Sequence, residues 1–236
     1  MSTDAASEAA TSLPAPSGAM VRRNSGEQVA LYLRRLIFDG HLRQGDRVPQ
    51  DEIAHVLGVS RIPVREALLS LEREGWVTIR PHRGAFIGAL DEAAVRDHYA
   101  LYGLIYGFAV RRAAERSTPE LVERLAATCA ELDGEDDPAI VSRLTRHFDR
   151  LILETASSPR LRAVLRGMVG IVPGNFFALV PGSIAVERTG SKAILEAIRR
   201  HDAEQATEAY ATMLRRQGDL VADLFTSRGL FPGPGA

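Results

Sequence analysis

Apolar residues recur at helical spacing over most of this chain and alternate at strand spacing only in one short region. Val29, Leu33, Leu36 and Ile37 form one stripe, which predicts a helix over residues 25–40 that Ser25 can cap and Gly40 can end. Leu42–Pro49 is a connector holding the turn signal Gly45-Asp46, and Ile53, Ala54 and Leu57 predict a short helix over Gln50–Leu57. Gly58 permits a left-handed turn at little cost. Val64, Ala67, Leu68 and Leu71 predict the next helix, with Ser60 as N-cap, Pro63 in the first turn where no N–H is needed, and Gly75 at its end. Val77-Thr78-Ile79 and Ala85-Phe86-Ile87 read as strands joined by Pro81-His82-Arg83-Gly84. Helix, helix-turn-helix and hairpin in that order predict a winged helix-turn-helix over residues 25–88.

From Asp91 onward the pattern is helical throughout. It predicts helices over Asp91–Arg116, Pro119–Leu132, Pro138–Ala156, Arg160–Leu179, Arg188–His201 and Ala203–Thr226. Asp91, Thr118, Asp137, Ser158 and Asp202 stand where N-caps belong, three of them just before a proline at the first helical position. Short connections and no strands predict an antiparallel bundle of six or seven helices over residues 89–228. Residues 1–24 have little to bury and read as a disordered tail, with a second short tail over 229–236. The expected fold class is mainly α, a winged head on a helical bundle.

Composition supports two modest cores, since 45% of the 236 residues are hydrophobic. A net charge of −1 excludes a polyelectrolyte binder, but the charge is uneven. Arg22–Gly88 holds 11 arginines against 8 acidic residues; from Ala89 onward 18 basic residues face 20 acidic ones. A basic front and an acidic back suit a DNA-binding head on a body that does not touch DNA. Cys129 is the one cysteine, so neither an intramolecular disulfide nor a cysteine-held metal is expected. The N-terminus lacks the basic start and apolar run of a signal peptide, and Ile171–Val186 is too broken by Pro and Gly to span a bilayer. A cytoplasmic protein with no membrane partner is expected. No Ser-His-Asp order, phosphate-binding glycine loop or paired carboxylates in a cleft is visible, which argues against an enzyme.

The candidate chemistry lies at the start of the third helix. Arg61 and Arg65 are one turn apart at a helix N-terminus, whose free N–H groups and partial positive charge attract phosphate. Arginine reads guanine bidentately, worth roughly 1–3 kcal/mol of discrimination per contact. Arg61 and Arg65 are therefore expected to read bases or adjacent phosphates, against the plainer reading of arginines that solvate a face. Ser60 is expected to bind phosphate or cap the helix. Arg83 and Gly84 are expected at the wing tip against the minor groove, with His82 a weaker candidate. Glu66 either holds Arg61 or Arg65 in place or is a surface residue.

The run DEIAHVLGVSRIPVREALLSLEREGWVTIRPHRGAFI (Asp51–Ile87) resembles the winged-helix domain of GntR-family bacterial transcription regulators. The bundle resembles the FadR-type branch, whose effector domain is called FCD, through RRAAERSTPEL (Arg111–Leu121), SSPRL (Ser157–Leu161) and AILEAIRRHDAEQATEAYATML (Ala193–Leu214). The resemblance implies a homodimeric, ligand-responsive repressor whose two heads read a palindromic operator in double-stranded DNA. Arg61, Arg65 and Gly84 fall where the family contacts DNA, whereas Asp51 replaces a frequent arginine. Many FCD proteins hold a divalent metal with one Asp or Asn and three His. The matching places here are Thr145, Asp149, Ser191 and Met213, so the resemblance implies no metal and no cofactor. A frequent effector-binding arginine and glutamate become Tyr102 and Tyr106. The implied effector pocket is lined by Tyr102, Tyr106, Thr145, Asp149, Ser191, Tyr210 and Met213, with Phe176 nearby. Such a lining suits a rather apolar metabolite, for example a fatty-acid-like molecule, an acyl thioester or an aromatic acid. Two other readings remain open: the bundle only dimerises, its tyrosines filling the core, or it senses a small carboxylate.

Overall fold

The computed structural model describes residues 13–14, 25–88, 91–166, 168 and 170–231. The chain divides into two compact units at Gly88/Ala89. The first contains α1 (Ser25–Phe38), α2 (Gln50–Leu57), α3 (Arg61–Arg73) and an antiparallel hairpin of β1 (Val77–Arg80) and β2 (Gly84–Ile87). The register pairs Val77 with Ile87 and Arg80 with Gly84. A winged helix-turn-helix was the expectation, and the structure has one.

Its core is Val29, Leu33 and Leu36 from α1, Ile53 from α2, and Val64, Leu68 and Leu71 from α3, all buried. Two features were not anticipated. The connector before α2 lies along the free edge of β2: Val48 N–H donates to Ala85 at 2.9 Å and Ile87 N–H to Asp46 at 2.9 Å. The segment closing α3 is fully engaged as well. Glu74 pairs with Arg34 of α1, both side chains largely buried at 13% and 7% exposure. Glu72 accepts the Ile79 N–H of β1 at 2.8 Å, and Gly75 takes a φ of 80° that a side chain would resist. A Leu-Glu-Arg-Glu-Gly run thus fastens the recognition helix to α1 behind it and to the wing beside it.

The helix-start expectation at Ser60 needs correction. Its backbone is extended as an N-cap should be, but its side chain makes no capping hydrogen bond. Ser25 is the first residue of α1 rather than its cap. Most of the expected tails, residues 1–12, 15–24 and 232–236, lie outside the described residues. Leu13 and Pro14 are placed: Leu13 N–H donates to Glu52 at 2.9 Å, and the Tyr32 hydroxyl donates to the Pro14 carbonyl at 2.5 Å.

The second unit is a bundle of α4 (Glu92–Glu115), α5 (Pro119–Asp133), α6 (Pro138–Ala156), α7 (Pro159–Arg166), α8 (Phe176–Leu179), α9 (Ser183–Arg199) and α10 (Ala203–Ser227). Asp91, Thr118, Asp137 and Asp202 cap their helices as expected, and Ser158 accepts the Leu161 N–H. The expected helix Arg160–Leu179 is instead two short pieces: α7 ends at Arg166, the chain is non-helical at Met168 and Gly170, and Pro173 and Gly174 precede α8. Residues 167 and 169 of that stretch lie outside the described residues. The helix expected from Arg188 begins five residues earlier, at Ser183, after Gly182 turns the chain with φ 81°. α4 and α10 run antiparallel and close together, since a Cβ on Gly103 would come within 3.3 Å of the Ala211 backbone.

Candidate functional site

In the first unit α3 presents its N-terminus to solvent. Arg61, Ile62 and Arg65 are exposed while Pro63 and Val64 are buried, so the helix is anchored on one side and free on the other. Arg61 Nε lies 2.7 Å from Asp51 Oδ1 of α2, and both side chains remain mostly in water, at 80% and 72% exposure. Asp51, which the sequence reading noted only as replacing a frequent arginine, therefore pairs with Arg61. Glu66 does not do so. Among the described residues it pairs with neither Arg61 nor Arg65, and its carboxylate lies against Gly26 in the first turn of α1. A groove of about 520 Å³ runs beside the ion pair, lined by Arg47, Val48, Pro49, Gln50, Asp51, Glu52 and Arg61.

The wing adds further positive charge. Arg83 and His82 are exposed at its tip, where His82 has a φ of 59°. Gly84 has a φ of 98°, and any Cβ there would stand 3.2 Å from Arg47 Nε. A glycine at 84 thus serves an arginine packed across the wing. Arg80 lies over the Phe86 ring, 4.8 Å from its centroid, a stacking that fixes a flexible cation. Sequence reading missed Arg47 and Arg80 because the connector-to-wing contact that gathers them is non-local. It also missed Ile62, 69% exposed between the two arginines, where an apolar side chain could meet a thymine methyl.

In the second unit the seven residues singled out from the sequence meet in one place. The Tyr106 and Tyr210 rings stack at 4.5 Å and 5° between planes, with Tyr102 edge-on to Tyr106 at 5.8 Å. The Tyr106 hydroxyl donates to the Asp149 carbonyl at 2.9 Å, and the Tyr210 hydroxyl reaches Asp149 Oδ1 at 3.5 Å. Met213 of α10 packs against Gly190 of α9, which has no room for a Cβ. Ser191 donates to Glu187 Oε1 at 3.3 Å and Gln217 Nε2 donates to Oε2 at 2.9 Å. Thr145 lies near Glu187 and favours its charged form, but the Thr145 hydroxyl oxygen is buried without a hydrogen bond of ordinary geometry.

Two carboxyl groups therefore occupy one interior. Burial pushes the Asp149 carboxyl up to about 8, Glu187 adds to the rise, and the tyrosine hydroxyls oppose it. Burial raises Glu187 as well, against hydrogen bonds that favour its charge. Tyr102, Thr145 and Asp149 keep part of their surface accessible amid these groups, whereas Glu187, Tyr106 and Tyr210 are closed off. Phe176 packs on Tyr99, with ring centroids 6.4 Å apart.

Comparison with known proteins identifies both units. Residues 25–87 match the bacterial regulatory proteins of the gntR family, and residues 97–216 match the FCD domain. An HTH-type transcriptional regulator of Mycobacterium tuberculosis (strain ATCC 25618 / H37Rv) is 35% identical over 211 residues, covering 89% of this chain and 86% of that protein. This chain belongs to the GntR family. It is a DNA-binding transcription regulator with an FCD domain, and its relatives are regulators, not enzymes. The HTH-type transcriptional repressor NanR of Enterobacter sp. (strain 638) is 28% identical over 83% of this chain and 84% of its own. A GntR-family regulator from Pseudomonas syringae pv. tomato str. DC3000 shares the fold at a TM-score of 0.53 and 25% identity, over 89% and 90% of the two chains.

Within this GntR regulator the places that the family resemblance gives to an FCD metal hold a carboxylate, two hydroxyls and a thioether, in Asp149, Thr145, Ser191 and Met213. That donor set does not fit a divalent metal that prefers imidazole. Among the described residues no three His, Cys, Asp or Glu side chains converge as a metal site would require. Glu187 and Gln217 were not foreseen. Glu187 falls in the first turns of α9, in a stretch read from the sequence as loop, and Gln217 reaches it only through the pairing of α9 with α10.

Proposed function

We propose that this regulator is a ligand-responsive homodimeric repressor that works in the cytoplasm and reads a palindromic operator. Arg61 and Arg65 contact bases or adjacent phosphates, Ser60 binds phosphate, and Arg83 and Gly84 lie at the minor groove. Since the Ser60 hydroxyl caps nothing and is exposed, it is available to an anion. A small, rather apolar metabolite binds in the bundle among Tyr102, Tyr106, Thr145, Asp149, Ser191, Tyr210 and Met213, and its binding changes how the two heads engage DNA. Among the described residues no helix is long and apolar enough to cross a membrane.

The observation that carries the sensing reading is the buried polar set around Asp149 and Glu187. A bundle that only dimerises has no use for it. Leucine or methionine would fill the same space without removing carboxylates from water, and such replacements are commonly neutral or stabilising. Gel shift with the protein's own upstream DNA, with and without candidate metabolites, tests the whole reading. Release of the DNA by a compound that also raises the melting temperature supports it, because only preferential binding to the folded state raises that temperature. Sequence-specific binding that no metabolite alters leaves the dimerising reading in its place.

A further inference from the structure

Arg47 of the connector stands between the two parts of the head that face DNA. The connector joins the free edge of β2, with Arg47 paired to Phe86 and the Gly45 N–H donating to the Ile87 carbonyl at 3.0 Å. Side chains alternate between the faces of a sheet. Val48, Val77, Ala85 and Ile87 are buried on one face, so Arg47, Arg80, Gly84 and Phe86 belong to the other. Arg47 is exposed there. Its guanidinium lies against Gly84 of the wing, and the same residue lines the groove that it shares with Arg61 of α3. Two acids line that groove, and both are engaged elsewhere. Asp51 pairs with Arg61 at 2.7 Å, and Glu52 accepts the Leu13 N–H at 2.9 Å. Among the described residues no carboxylate pairs with Arg47.

An exposed arginine needs no partner in the fold. What singles out Arg47 is its place. A duplex that takes α3 into its major groove and the wing against its minor groove passes one sugar–phosphate strand between them, since that strand is what separates the grooves. We propose that Arg47 contacts the phosphates of that strand and sets the register of the head on DNA without reading sequence. The proposal rests on the reading that Arg61 and Arg65 contact bases while Arg83 and Gly84 lie at the minor groove. Asp51 offsets part of the charge of Arg61, whereas the charge of Arg47 is whole. A phosphate also suits a cation held at a fixed height, and the missing Cβ of Gly84 leaves the guanidinium its room.

The test is binding of the full-length protein to its own upstream DNA and to a random-sequence duplex of equal length, each titrated against salt. One phosphate contact contributes about 0.9 to the slope of log affinity against log salt. Arg47→Ala should lower that slope by about 0.9 for each bound head, so its deficit against the parent shrinks about threefold between about 50 and 200 mM salt. Both duplexes should weaken alike. Arg47→Lys should keep the parent slope, because a phosphate contact needs charge and not the guanidinium fork. Arg61→Ala should instead lower the preference for the upstream DNA. An unchanged slope in Arg47→Ala, while Arg61→Ala and Arg83→Ala weaken binding, would overturn the strand contact and leave the docking of α3 and wing intact. Unchanged binding in all three variants would overturn that docking itself. A lost preference for upstream DNA in Arg47→Ala would make Arg47 a reader of bases, against the proposal. A lower melting temperature with an unchanged slope would reduce Arg47 to a brace for the wing.

Discussion

The Arg61–Asp51 ion pair bears on the proposed recognition of DNA more than on stability. With both side chains mostly in water, the pair adds no more than about 1 kcal/mol to the fold. Its effect is to point a guanidinium that would otherwise sample many rotamers. Arg61→Ala and Arg65→Ala should each weaken specific operator binding by about 1–3 kcal/mol and leave the melting temperature unchanged. Operator affinity untouched in both variants would remove α3 as the reading element. Asp51→Asn should shift base preference at one operator position while changing overall affinity little, which binding to a randomised operator library measures. At Asp149 the direction is set by pH. An unfolded aspartate titrates near 3.9, whereas burial raises the folded group to about 8, so the folded state holds a proton that the unfolded state has released between those values. The stability this group contributes is therefore full below about pH 4 and lost as pH rises toward 8. Asp149→Asn, which has no proton to lose, should melt higher than the parent at pH 8 and show no such advantage at pH 4.5. Equal offsets at both pH values would mean that Asp149 is charged throughout.

Helix identity and N-caps were readable along the chain because both are local: Asp91, Thr118, Asp137 and Asp202 announce helices within four residues. What pairs one element with another was not readable. Arg34 looks like any helix arginine, and only the crossing of α1 over the end of α3 buries it against Glu74. Arg34→Ala should accordingly destabilise the head by about 3–5 kcal/mol, because Glu74 would be left as an uncompensated buried charge. Arg34→Met combined with Glu74→Leu should recover most of that loss. Chemical denaturation of the two variants distinguishes an ion pair that the fold requires from one it merely tolerates. The same limit hid two members of the bundle cluster, Glu187 and Gln217. Tyr102, Tyr106, Thr145 and Asp149 follow from helical spacing and family resemblance. Glu187 and Gln217 needed the true start of α9 and the α9–α10 pairing. Glycine marks that pairing, since at Gly190 a Cβ would stand 2.8 Å from the Met213 Cβ.

At the scale of the whole molecule the outer face of α4 bears on the proposed dimer. Asp97, Leu101, Leu104, Phe108, Arg111 and Glu115 recur at alternating steps of four and three residues, and all are exposed. The opposite face of the same helix is buried through Val95, Tyr99, Tyr106, Val110 and Ala113. A helix that is apolar on both faces ordinarily has both covered. A second copy suits this one, because a two-fold axis crossing α4 sets the helix antiparallel to its mate. Each acidic end, with Glu92 and Asp97, then lies beside the partner's basic end, where Arg111 and Arg112 stand on the same helix. Leu104→Glu with Phe108→Glu should convert the dimer to a monomer in sedimentation equilibrium without loss of helix signal. Two heads reading half-sites roughly one helical turn of DNA apart gain about 10²–10⁴ in affinity over one, so the monomer should lose operator binding by that order. It should keep the weak, salt-sensitive binding of a single head. An intact dimer in the double variant would take α4 out of the interface, while a proven monomer with full operator affinity would take dimerisation out of recognition.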